Sequence, residues 1–242
     1  MNILKKCIAL IALLLLCSKL SFAQLGYNYS GYSVGLGGGV AIADADVNKK
    51  ISKPAFFGTV SYNYSPFLTL TGELQVGKLA GGNIMTDKDT RAFVNNYKAL
   101  TFYTDLQMGE LIDYKDYIVL NVIKNIYIGS GFGVIYNKMA FVQRTSLIDT
   151  KYVFPGQDAS TELTLPLRIG YEFKIYDFYR EPSIRINVGY QVTLAYGEGL
   201  DGYNDPPQIF KNNHVDRYSL IGVGVKYNFG TPVSYRKPIH RF

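Results

Sequence analysis

The 242-residue chain has no tryptophan, two histidines and two cysteines, and charged residues make up only 18% of it. Both cysteines, Cys7 and Cys17, fall in the first 17 residues, so a product processed after them has no thiol for a disulfide or a thiolate metal site. No apolar run reaches the 20 or so residues a membrane-spanning helix needs, which excludes a multi-helix membrane protein. There is no Gly-rich phosphate cradle opening a helix, no CxxC pair and no HExxH pattern; Gly37-Gly38-Gly39 lies inside a strand pattern. No cofactor is expected.

What is present begins with a leader. Lys5 and Lys6 precede an apolar stretch from Cys7 to Cys17, and Ser21-Phe22-Ala23 offers small residues at the −3 and −1 positions of a cleavage site before Gln24. Residues 1–23 are therefore expected to be a cleaved secretory signal peptide. Leu16 occupies a position where a lipobox wants a small residue, so a free N-terminus at Gln24 is preferred to a lipid anchor at Cys17. Losing Lys5, Lys6 and Lys19 and no acid lowers the formal charge from +6 to +3, and nucleic acid ceases to be an expected partner.

Beyond the leader the hydrophobic period is two, the period of a sheet with one apolar face. Leu68, Leu70, Leu74 and Val76 alternate with Thr69, Thr71, Glu73 and Gln75, and Ile184, Ile186, Val188, Tyr190 and Val192 alternate with Arg185, Asn187, Gly189 and Gln191. Eight such segments are expected near residues 31–43, 55–64, 67–78, 98–109, 125–136, 161–173, 183–196 and 216–229, most of them long enough to cross a bilayer as tilted strands. The connections alternate. Ser65-Pro66 and 174–182 are short, whereas 44–54, 79–97, 137–160 and 197–215 are long and mostly polar, the pattern of periplasmic turns and outer loops. The link from Glu110 to Lys124 breaks the rule. Its Leu111, Ile112, Tyr117, Ile118, Leu120 and Val122 suit either an amphipathic cap or a docking element.

The polar face is rich in glycine, with Gly35, Gly37 and Gly39 in the first strand and Gly129, Gly131 and Gly133 in the fifth, as a narrow interior requires. Aromatic residues gather near the inner strand ends: Tyr62, Tyr64 and Phe67; Tyr171, Phe173 and Tyr176; Tyr227 and Phe229. They are expected to form an interface girdle. The predicted fold is all-β, an eight-stranded antiparallel transmembrane β-barrel over 24–229, followed by a periplasmic tail at 230–242.

The chain resembles the small eight-stranded outer-membrane barrels: the OmpA-type transmembrane domain, the OmpX-like and OmpW-like barrels, and the plain barrel proteins of Bacteroidetes. The most specific residues are Gly224, Tyr227 and Phe229 in Gly-Val-Lys-Tyr-Asn-Phe, similar to the C-terminal strand signal read by the barrel-assembly machinery. The resemblance implies an outer-membrane location, with outer-membrane lipid and that machinery as partners. The tail, with Tyr235, Arg236, Lys237, His240 and Arg241, departs from the pattern. A peptidoglycan-binding role is not implied.

Six charged residues fall on the proposed inner face: Glu73, Asp105, Arg168, Glu172, Arg185 and Lys226. Unpaired charges in so narrow a space are costly, so a mutually satisfied network filling the lumen is expected, ahead of an ion path or small pore. His214 and Ser219 are the only residues resembling a hydrolytic pair. Ser219 has outward parity and no acidic residue orients the histidine, so an enzyme is not expected. Asp44, Asp46, Asp87, Asp89 and the 198–205 segment match no calcium-loop spacing and read as solvated loop charge. The expected function is a non-enzymatic barrel acting as a structural or binding protein through its outer loops. The alternative is an accessory subunit of an envelope complex for secretion, barrel assembly or uptake, docking through 110–124 and the tail onto other envelope proteins.

Overall fold

The structure is a computed structural model that describes residues 27–45, 47, 49–85, 90–114, 117–148, 151–179, 181–204 and 216–235. The predicted leader, the tail from residue 236, Asp46, Asp87, Asp89 and His214 lie outside the described residues. Eight strands, β1 (Tyr27–Asp44), β2 (Lys50–Asn63), β3 (Leu68–Gly82), β4 (Ala92–Gln107), β5 (Ile126–Val142), β6 (Ala159–Tyr176), β7 (Pro182–Tyr196) and β8 (Arg217–Tyr235), pair antiparallel in sequence order, and β8 closes on β1. Two short helices, α1 (Met108–Leu111) and α2 (Ile118–Ile123), lie in the β4–β5 link. No described helix is long and apolar enough to cross a membrane.

Closure leaves no edge strand, so every ladder is satisfied inside the sheet, as a bilayer demands of a spanning structure. The alternation then sets the two faces. Val60, Leu74 and Leu163 are exposed on the outside, whereas their sequence neighbours Thr59, Ser61, Glu73, Gln75, Glu162 and Thr164 are buried inside. An apolar exterior around a polar interior is the inverse of a soluble barrel and is the form of a barrel solvated by lipid. Gly35, Gly37, Gly39, Gly129, Gly131 and Gly133 all have inward parity, as expected.

The strands outrun their predicted limits. They are 14 to 19 residues long, and the predicted loop 79–97 shrinks to 83–91 because β3 and β4 stay paired from Lys78↔Asn96 up to Gly82↔Ala92. Likewise 44–54 becomes 45–49 and 137–160 becomes 143–158. Toward these strand ends polar and apolar residues mix on both faces, Asn95 buried beside Leu79 and Lys138 exposed near Phe141, so the amphipathic signal is lost while the ladder continues. At the opposite end β8 continues past Phe229 to Tyr235, pairing with β1 through Tyr27↔Tyr235, with a bulge between Ser30 and Tyr32. The first six residues of the predicted tail are thus barrel wall.

Two of the predicted girdle residues point elsewhere. Phe67 is buried, and Tyr176 packs against it from the inside, because the β2–β3 turn and the end of β6 fold their aromatics under the barrel mouth. Tyr62, Tyr227 and Phe229 do face outward, with Tyr32 between Tyr62 and Phe229 at ring-centroid distances of 5.5 and 6.1 Å.

Candidate functional site

Arg168 of β6 lies at the centre of the lumen. Its Nε is 3.2 Å from Asp105 Oδ1, its Nη1 is 3.5 Å from Glu73 Oε2, and Nη1 also donates to Gln191 Oε1 at 2.6 Å. Asp105, Gly129 and Arg168 share one row across β4, β5 and β6. The middle position is glycine for a spatial reason: a Cβ there would overlap the Asp105 carboxylate. Tyr103 lies beneath the guanidinium, 3.8 Å from its ring centroid, and its hydroxyl donates to Glu73 Oε2 at 3.0 Å. Glu73 Oε1 accepts from Gln75 Nε2, and Gln75 Oε1 accepts from the hydroxyls of Tyr97 and Tyr218 at 2.9 and 3.0 Å. One connected network therefore crosses the barrel.

Below it lies a second group. Glu172 Oε1 is 3.6 Å from Arg185 Nη1 and accepts from Gln107 Nε2 at 2.8 Å. Gln107 Oε1 in turn accepts from Lys174 Nζ at 2.7 Å, and Lys174 also donates to Pro66 O at 2.7 Å. Glu172 and Arg185 are diagonal neighbours, since the register pairs Glu172 with Asn187 and Arg185 with both Lys174 and Lys226. Lys226 is buried and makes no ion pair within 4 Å among the described residues; its stem packs beside Gly35. All six predicted charges are therefore inside. Lys174 belongs with them and was missed because it stands next to the turn. Tyr97, Tyr103 and Tyr218 were missed because strand tyrosines read more readily as girdle, although the period-two parity of Glu73 and Asp105 already points Gln75, Tyr103 and Gln107 inward.

The outer third of the lumen mixes apolar side chains with buried polar ones: Asn95, the partner of Leu79, donates to Asn137 Oδ1 and Leu200 O. Ala41, Ala55, Leu79, Ile135, Ala195 and Leu220 are buried there. Two outer loops close over them. Phe154, from 143–158, meets Tyr203, from 197–216, edge to face at 5.7 Å, and Arg91 lies over both rings at 4.6 and 4.9 Å. The Tyr203 hydroxyl donates to the carbonyls of Ala92 and Gln143, and burial pushes its pKa up to about 12. At the other mouth Phe67 packs on Tyr114 at 5.7 Å and carries Lys174 Nζ 4.4 Å from its ring centroid. Below that, Glu110 of α1 accepts from Ser65 and Tyr235, each at 2.7 Å, tying the β2–β3 turn to the end of β8. The 110–124 link thus acts as a cap through Tyr114 and Glu110. Its α2 segment lies at the rim instead, with Tyr171 Oη donating to Val122 O at 2.9 Å and Ile118 and Val119 exposed.

Two small cavities in the lumen, of about 20 and 10 Å³, are both lined by Phe57, Arg168 and Asn187. Each has room for little more than one water. Phe57 fills the space left by the glycines of β1 and β8: a Cβ on Gly224 would approach its ring to 3.0 Å, and one on Gly37 would overlap it. Of the Gly224, Tyr227 and Phe229 pattern, the glycine is therefore inside, under Phe57, and the two aromatics are outside.

Ser219 points outward, its hydroxyl 3.0 Å from that of Tyr190. Asp44 pairs with Lys50 at 2.6 Å and Arg217 at 2.5 Å at the outer rim. No group of three or more metal-ligating side chains occurs among the described residues.

No family model and no curated protein matches the chain. Solved structures do. Neisserial surface protein A is 11% identical, covering 83% of this chain and 98% of its own, with a TM-score of 0.46. Ail, the attachment invasion locus protein of Yersinia pestis, is 12% identical, covering 83% and 99%, with a TM-score of 0.44. The structure of Ail in complex with the heparin analogue sucrose octasulfate is 13% identical, covering 82% and 97%, also at 0.44.

Proposed function

We propose that the protein is a non-enzymatic integral outer-membrane barrel with a lumen filled by its own side chains, acting as a structural or binding protein through its outer loops. The carrying observation is the continuous fill from Tyr203 and Phe154 at one mouth, through Arg168, Glu73 and Asp105, to Phe67 and Tyr114 at the other. The orientation is inferred from the β1 and β8 ends and the short 64–67 and 177–181 links at one rim and the 83–91, 143–158 and 197–216 links at the other, with 108–125 and 45–49 departing from the pattern of periplasmic turns and outer loops. A cleaved leader fits delivery to that membrane, with the assembly machinery reading the Gly224, Tyr227 and Phe229 strand. Liposomes carrying the folded protein are expected not to swell in isotonic solutions of small sugars. Swelling at the rate of a porin control would reject the filled lumen in favour of a pore.

A second reading has one observation in its favour. Leu111, Tyr117, Ile118 and Val119 of the 110–124 link are exposed beneath the barrel, as a subunit docking onto other envelope proteins would require. Affinity capture from native membranes with and without Ile118→Asp and Val119→Asp tests it: partners lost in the variant support the subunit, and capture of the barrel alone rejects it.

A further inference from the structure

The lipid-facing wall of β3, β4 and β5 is interrupted by lysine. Lys78, Asn96 and Lys138 stand in one row, Lys78↔Asn96↔Lys138, all exposed with outward parity. Lys98 lies one outward step below, in the row Val76↔Lys98↔Tyr136. Beneath them the same three strands present Leu74, Leu100, Phe102, Phe132 and Val134, an apolar surface.

Depth locates the lysines. From Leu106, paired with Leu68 and Ile128 near the lower rim, to Lys98 is eight residues, and to Asn96 ten. Along strands tilted by about 40° these steps climb roughly 20 and 25 Å. The apolar band of such barrels is about 25 Å tall, so the three ammonium groups emerge where the acyl chains of the outer leaflet end and its headgroups begin. The one described acid nearby, Asp158, next to the Ala159 that pairs with Lys138, is bound to Arg144 instead. None of the three has an ion pair among the described residues, and the acidic residues of β2 to β6, namely Glu73, Asp105, Glu162 and Glu172, are all buried in the lumen. Contrast Lys50, equally exposed and held by Asp44.

We infer that Lys78, Lys98 and Lys138 form a binding site for a phosphorylated lipid of the outer leaflet, its phosphate held by the lysines and its acyl chains lying on the wall of Leu74, Leu100 and Phe132. Lys78 and Lys138 are two strand spacings apart, roughly 10 Å, and their flexible stems can bring both ammonium groups to one phosphate. The inference goes beyond the filled lumen but rests on the orientation proposed above, since the reverse orientation would put the lysines in the opposite leaflet.

The test is a titration of the folded full-length barrel, in a sugar-headgroup detergent, with bisphosphorylated lipid A, followed by native mass spectrometry. The wild type is expected to bind one lipid, and the Lys78→Gln, Lys98→Gln, Lys138→Gln triple variant to bind it roughly 100-fold more weakly, from about fivefold for each of the three surface lysines. Dephosphorylated lipid A is expected to show the same loss on the wild type, and Lys50→Gln none. Millimolar inorganic phosphate should not compete; competition would make the site one for free phosphate. Equal binding by wild type and triple variant, or by phosphorylated and dephosphorylated lipid, overturns the inference and leaves lysines that merely extend into headgroups. Because the variants change only exposed side chains, retained heat-modifiable migration certifies their folding. Orientation is read separately by labelling Met85→Cys, in the exposed β3–β4 connection, on intact cells with a membrane-impermeant maleimide. Labelling with unchanged lipid binding in the triple variant rejects the lysine site alone, and no labelling rejects the orientation itself.

Discussion

The guanidinium of Arg168 lies 3.8 Å above the ring of Tyr103, and the hydroxyl of that same ring holds Glu73, one of the carboxylates paired with the guanidinium. Cation, ring and anion thus form a closed triangle in the middle of a membrane protein. Removing the cation leaves the buried carboxylates of Glu73 and Asp105 uncompensated.

Arg168→Ala is accordingly expected to destabilise the folded barrel by roughly 3–5 kcal/mol, as breaking a buried pair does. Urea unfolding of the barrel in lipid vesicles measures this. Neutralising the partners together, in Arg168→Met with Glu73→Gln and Asp105→Asn, should recover most of the loss. A triple variant as weak as Arg168→Ala would show that packing, not uncompensated charge, is the cause.

Gly224 is predicted from sequence as part of an assembly signal, and the structure adds a packing reason for it. A methyl group there approaches the Phe57 ring to 3.0 Å. Gly224→Ala should cost about 1–2 kcal/mol, within the range for overpacking, in protein refolded without any assembly machinery, and Phe57→Leu should relieve it. An unchanged unfolding midpoint would leave signalling as the only role of Gly224.

Lys124, between α2 and β5, is buried against Tyr114, and desolvation lowers its pKa from 10.5 to about 8. Between those values the unfolded chain holds a proton that the folded one has released, so stability rises as pH climbs from about 8 to 10.5. Lys124→Met, which keeps the stem and removes the titration, should flatten this segment of the stability profile. Parallel profiles for the two proteins would contradict the assignment.

Tyr235 anchors what sequence suggests is a free tail. Its hydroxyl donates to Glu110, and its ring lies 6.4 Å from that of Phe67. Ending the chain after Phe229 is expected to loosen the inner mouth and speed amide exchange at Gly109 and Gln107, whose N–H groups bond to Lys124 O and Phe67 O. Exchange rates equal to those of the full chain would mean that the extension of β8 closes nothing.

The barrel was legible because a period of two is a direct trace of one face in lipid and one in a lumen, and Glu73, Asp105, Arg168, Glu172, Arg185 and Lys226 each followed their strand's parity. Strand ends were not legible. Above Lys78 and Asn96 neither face is consistently apolar, so the pattern stops while the ladder goes on. Phe67 and Tyr176 misled because a turn resets parity, and an aromatic beside a turn can cap a lumen as well as meet a membrane. The loop plug was invisible for another reason: Arg91, Phe154 and Tyr203 are more than 100 residues apart at the extremes, and only barrel closure brings them together.

Closure of the lumen by its own side chains is read out by single-channel recording in planar bilayers. Wild-type barrel, inserted and verified as folded, is expected to give no resolvable conductance steps in molar potassium chloride at either polarity. Steady ohmic steps from the wild type would contradict the account, because ions could then pass between Arg168 and its partners.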